Sequence, residues 1–151
     1  MPATSINGLK TVLKNRIISQ VDKVQEVHIY EKSTFDGYPA VTISCSGNEN
    51  EYWSNAEDMR SFLFDIRVYG LLSRKATELI ETTDVVKERT ERIMGNVVSQ
   101  IVDSLDEFYA FSNAADYTLA TPSAWGYAKV GNGWCRVAEI KVEIKKLYTI
   151  K

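Results

Sequence analysis

The side chains best suited to nucleophilic, acid–base or metal chemistry are few: one histidine, His28, and two cysteines, Cys45 and Cys135. A catalytic nucleophile needs a base within hydrogen-bond reach and a third group to orient it. Nothing in the spacing around His28 supplies such partners, so it reads as a surface or interface residue on a strand. The cysteines form no Cys-x-x-Cys pair, and two cannot build a disulfide framework. Both fall in strand-like stretches and are expected to be small, buried and reduced. That expectation places the chain in a reducing compartment; a cross-strand disulfide stays open.

Two further clusters combine charge with aromatic rings. Gly47 to Arg60, "GNENEYWSNAEDMR", carries Glu49, Glu51, Glu57 and Asp58 around Tyr52 and Trp53. It lacks the fixed oxygen-ligand spacing of a calcium loop. It reads as a long polar loop, either solvated or used as a protein-contact arm anchored by its aromatics. Trp125, Tyr127 and Trp134 surround Lys129. Such interleaving can bind single-stranded nucleic acid, but hairpin packing or a subunit contact explains it more simply. There is no nucleophile elbow, phosphate-cradling glycine loop or His/Cys metal spacing. No cofactor or metal is expected.

The 151 residues make one domain, residues 1–151, large enough to bury a core. Hydrophobic content is 44%, charged content 25% and net charge −2. There is no overall basic excess of the kind that marks nucleic-acid binding. No basic-then-apolar leader opens the chain, and no run approaches the roughly 20 apolar residues that span a bilayer. A soluble chain made in a cytoplasm is the expectation.

Periodicity assigns the elements that must position these groups. Leu9, Val12, Leu13, Ile17 and Val21 predict a one-sided helix from Ser5 to Val24, capped by Ser5 or Asn7. From Gln25 the period becomes two, predicting a strand to Lys32. Asp36-Gly37 supplies a positive-φ hairpin turn. Pro39, lacking an amide hydrogen, suits the start of a strand near an edge. A second strand runs from Tyr38 to Ser46, with small hydroxyls at Thr42, Ser44 and Ser46, and a third from Ser61 to Tyr69. A helical region follows from Arg74 to Phe108, with Asp84 as a break or cap. Its stripe is Val86, Ile93, Val97, Ile101, Leu105 and Phe108, widened by Met94, Val98 and Val102; Gly95 marks close packing. The last third forms a hairpin turning at Gly131-Asn132-Gly133. Its final strand alternates Ala138, Ile140, Val142 and Ile144 with charged residues. The fold class is α+β: a mainly antiparallel sheet of about five to six strands. An N-terminal helix and a long central helix pack on one face.

In this order the chain resembles the tail terminator, or tail completion, proteins of long-tailed bacteriophages. The stretches that carry the resemblance are "FDGYPAVTI", the loop "GNENEYWSNAED", the aromatic strand "FLFDIRVY", the long helix and the closing "GYAKVGNGWCRVAEIKVEIKKLY". Together they span nearly the whole chain. The resemblance implies a homo-oligomeric ring, commonly a hexamer, that caps the finished tail tube and ends its polymerisation. It implies a tail tube protein on one side and a head-completion or connector protein on the other. It also implies DNA only as cargo passing through, no membrane partner, no catalytic residues, and a place in the virion tail after assembly in the host cytoplasm. Another small neck or tail component shares the pattern. A small α+β enzyme or ligand-binding module is the alternative from a different class.

A closed ring is a set of head-to-tail contacts, so each subunit must show two different patches. The sequence offers an acidic, aromatic one at Glu49, Glu51, Tyr52 and Trp53. A basic one lies on the last strand at Lys141, Lys145 and Lys146.

Overall fold

The computed structural model describes residues 5–54, 57–73, 84–107, 116–130 and 133–149; for 48–54, 57–58, 73 and 148–149 it describes the backbone alone. The elements are α1 (Ile6–Gln20), β1 (Glu26–His28), β2 (Ala40–Ser54), β3 (Glu57–Ser73), α2 (Asp84–Glu107), β4 (Tyr117–Val130) and β5 (Gly133–Thr149). Two helices pack on a five-stranded, mostly antiparallel sheet of order β1-β2-β3-β5-β4.

α1 starts where Ser5 accepts the Gly8 amide on its hydroxyl at 3.0 Å, satisfying a donor the first turn leaves open. It ends four residues earlier than the apolar pattern predicts. Val21 is already extended, and Lys23 takes a left-handed φ of 70° to turn the chain into β1. Leu9, Leu13 and Ile17, one turn apart, are fully buried. On α2 the buried stripe is Met94, Val97, Val98, Ile101 and Leu105. Val86 and Ile93, expected at its centre, lie at its margin. The described helix begins at Asp84; residues 74–83 and Phe108 lie outside the described residues.

Both stripes cover one face of the sheet. Ile43, Ile66 and Ile140 form a row across three strands, flanked by rows containing Val41, Val68 and Ala138 and by Phe64 with Val142. Burying each large side chain contributes about 1.5–3 kcal/mol, so this layer holds the fold together.

Several expectations are corrected. The first strand is three residues long, not eight, and it pairs with β2 in parallel rather than as a hairpin. Gly37 is not in the left-handed region; its constraint is space, since a Cβ there would lie 2.9 Å from Gln25 Cβ. Residues 29–39 instead cross the outer face of the sheet, where Phe35 packs on Tyr69 and Glu31 pairs with Arg67. This crossing ends β1 early and buries Ala40 and Thr42 on what would otherwise be an open face. Pro39 does stand directly before β2, after a cis Tyr38–Pro39 bond.

The polar stretch from Gly47 to Arg60 is not a loop. β2 continues to Ser54, and β3 begins at Glu57, pairing from Gly47↔Leu63 to Ser54↔Glu57. Backbone pairing on both sides of β3 extends these strands past the point where apolar alternation stops.

Cys45 is exposed, whereas Cys135 is buried as expected. At Cys45 β2 has run beyond the end of β1, and a bulge between Cys45 and Gly47 interrupts its ladder. Gly95 packs against nothing: a Cβ there meets no atom within 4 Å. The close approach belongs to Gly70 of β3, beneath Met94 and Thr90 of α2.

β4 and β5 form the closing hairpin, Val130 pairing with Gly133; Gly131 and Asn132 lie outside the described residues.

Candidate functional site

The face of the sheet turned away from the helices is only partly covered. At one end lies the crossing segment, pinned by Glu26. One Glu26 oxygen accepts the amides of Asp36 and Gly37 at 2.6 and 2.5 Å; the other accepts from His28 Nε2 at 2.8 Å. The His28 bond, then the Gly37 amide, hold this carboxyl at a pKa of about 2 despite its burial. His28 is therefore part of a structural pin. Its ring also touches those of Tyr30 and Phe35. Among the described residues no group of three or more His, Cys, Asp or Glu is placed to hold a metal ion.

Beyond that segment the face carries a ladder of ions. Arg67 reaches Glu31 at 2.7 Å and Glu139 at 3.3 Å. Lys141 reaches Asp65 at 3.1 Å and Glu139 at 3.2 Å. Burial pushes the Glu139 carboxyl up, but hydrogen bonds from Lys141, Ser123 and Arg67 outweigh it and leave it below the usual range. Asp65 and Glu139 raise Lys141 above the usual lysine value. These cross-strand pairs fix the surface of β3 and β5 at a modest gain each.

The structure relocates the two expected patches. Lys141 and Lys145 share the outer face. Lys146 alternates to the other side, 3.7 Å from Asp116. Glu49, Glu51, Tyr52 and Trp53 lie on β2 within the hairpin. Register places Glu49 opposite Ser61 and Ser61 opposite Lys145, so positions 49 and 145 occupy one row two strands apart. At about 4.8 Å per strand, that is roughly 10 Å. Positions 49 and 145 thus lie near one another at one end of the sheet, whereas Lys141 stands further along β5, opposite Asp65.

An aromatic group that the sequence associated with Lys129 is organised by a different cation. Arg136 lies 5.1 Å from the centroid of the Trp125 ring and 4.6 Å from that of Tyr127. Two of its nitrogens bond the Glu91 carboxylate of α2 at 2.9 Å. Periodicity could not reveal this, because Glu91 and Arg136 are distant in sequence. The only sequence signal was the alternation that puts Arg136 on the helix-facing side of β5.

Elsewhere a groove of about 220 Å³ is lined by Tyr38 and Pro39 just before β2, Gly70 of β3, and Arg89 and Ile93 of α2. Comparison with protein-family models returns no match, and comparison with curated proteins also finds none.

Proposed function

We propose that this chain is a structural subunit of a phage tail: a terminator that closes into a ring on the finished tube, ends tube polymerisation and offers a surface for head joining. Supporting this reading is the order of elements on which the resemblance rests. An N-terminal helix is followed by a proline-led strand, an aromatic strand, a long helix and a closing hairpin. The observation that carries it furthest is the extension of β2, β3 and β5 past the start of β4 and the end of β1. Paired strands of that length present ladder and charge to a neighbour instead of to a core. In this reading the ring contacts a tail tube protein and a head-side connector, needs no cofactor, and meets nucleic acid only as the DNA that passes through it.

Mass in solution tests the proposal. Light scattering and electron microscopy of the purified chain are expected to show closed rings of about six subunits. A chain that stays monomeric alone and in the presence of tail tubes would overturn it.

A further inference from the structure

The groove beside Gly70 exists because neighbouring strands differ in where they begin and end. β2 starts at Ala40, opposite Tyr69, so Gly70 and Leu71 of β3 run on past it. α2 comes close above them: a Cβ on Gly70 would stand 2.7 Å from Met94 Sδ. Between strand, helix and Pro39 a hollow of about 220 Å³ is left.

Its walls are largely apolar, and two of its polar side chains are already engaged. The Thr90 hydroxyl donates to the Leu71 carbonyl at 2.9 Å, and the Tyr38 side chain hydrogen-bonds the Cys135 thiol. Arg89 is the one charged residue in the lining. It is exposed, and among the described residues it makes no hydrogen bond or ion pair. Arg16, Arg67 and Arg136 differ, since each holds a carboxylate of this chain. Glu91, two residues further along α2, is taken by Arg136. The Arg89 guanidinium is therefore a cation without a counter-charge, at the lip of an apolar hollow.

Such a site suits a ligand that is apolar at one point and anionic beside it. Pockets that enclose a whole small ligand begin at roughly 300 Å³. This hollow is smaller, so it holds one side chain of a longer molecule. In a polypeptide, an apolar side chain and a carboxylate share one residue only at the C-terminus. We infer that the groove captures the C-terminal residue of a partner chain. A leucine- or phenylalanine-sized side chain lies against Met94 and Ile93, and the terminal carboxylate sits on Arg89. Capture of a C-terminal carboxylate is a recurring mode of peptide recognition. A planar guanidinium fits a carboxylate with two parallel bonds. The site stands on the groove and Arg89, and it does not depend on the ring reading.

Methyl NMR of the full chain labelled at methionine tests it. Of three methionines, Met94 lines the groove, and Met59, opposite Leu147 toward the other end of β3, serves as the internal reference. Titration with the tripeptide acetyl-Ala-Ala-Leu is expected to move the Met94 methyl signal and leave Met59 in place. The same tripeptide with an amidated C-terminus is expected to bind at least about tenfold more weakly, because one charge-assisted bond is lost. Arg89→Glu should weaken the free acid by a similar factor. Arg92→Glu, nearly one turn on and outside the groove, should change it by less than about twofold. A Met94 signal unmoved by the tripeptide, or equal binding of acid and amide, would overturn the site. An equal loss in the two arginine variants would also overturn it, since bulk charge would then explain the binding. Hexanoate held as tightly as the tripeptide would overturn the peptide occupant in favour of a free acid.

Discussion

The Glu26 carboxylate holds the amide of Gly37 at 2.5 Å, which ties the end of the crossing segment back to the strand where it began. The same carboxylate takes the His28 ring and the Asp36 amide. Its pKa of about 2 in the folded chain, against an ordinary 4.5, makes it a source of pH-dependent stability. A depressed carboxyl stabilises fully above its unfolded pKa and loses that contribution as pH falls through the folded value. Glu26→Gln is expected to lower stability by on the order of 1 kcal/mol at neutral pH. The gap to the native chain should narrow as pH drops from about 4.5 toward 2. Urea midpoints across that window check it; a constant gap would show that the charge of Glu26 does not pin the segment.

Two glycines are expected to respond oppositely to one added methyl. At Gly70 a Cβ would stand 2.7 Å from Met94 Sδ and 2.9 Å from Thr90 Cγ2, where Thr90 is also held by its bond to the Leu71 carbonyl. Gly70→Ala should cost about 1–3 kcal/mol through overpacking. At Gly95 the same methyl meets open space. Gly95→Ala should stabilise by about 0.5–1 kcal/mol, because alanine loses less backbone freedom in a helix. Thermal melts of the two single variants check the sign of each.

Arg136 ties the closing hairpin to α2 by a forked bond to Glu91 and by stacking beneath two rings. Lysine cannot reproduce the planar fork. Arg136→Lys is therefore expected to cost about 1 kcal/mol. Trp125 emission should shift as the ring loses its cation. Denaturation followed by tryptophan fluorescence reads both.

Reversing Glu49 and Glu51 to lysine is expected to disturb assembly, because it turns a mixed-charge end of the sheet basic beside positions 60, 145 and 146. Sizing chromatography at low and high salt checks it. The shift in elution should shrink as salt screens the new repulsion. An unchanged profile at low salt would remove this end of the sheet from the contact.

Much of the fold was legible because burial writes a period into the chain. Leu9, Leu13 and Ile17 are one turn apart, and Phe62, Phe64, Ile66 and Val68 alternate. Both patterns follow from having one face against a core. The stretch from 47 to 60 was misread because its strands are held by backbone pairing to neighbours and not by an apolar face. Composition then looks like a loop. The parallel pairing of β1 with β2 was hidden for a related reason. Asp36-Gly37 is a good turn signal locally, but Glu26, His28, Phe35 and Tyr69 together decide where the segment goes, and they are far apart in sequence.

By itself the sequence determined the class of fold, the two helices, the apolar faces of the central strands and a cap at Ser5 or Asn7, because each depends on neighbours within a few residues. Only the tertiary structure decided the strand order, the direction of β1, the exposure of Cys45 and the row that brings position 49 within two strands of Lys145. Those depend on which distant segments meet. That choice is made by the summed packing and hydrogen bonding of the whole sheet, and no local window of residues contains it.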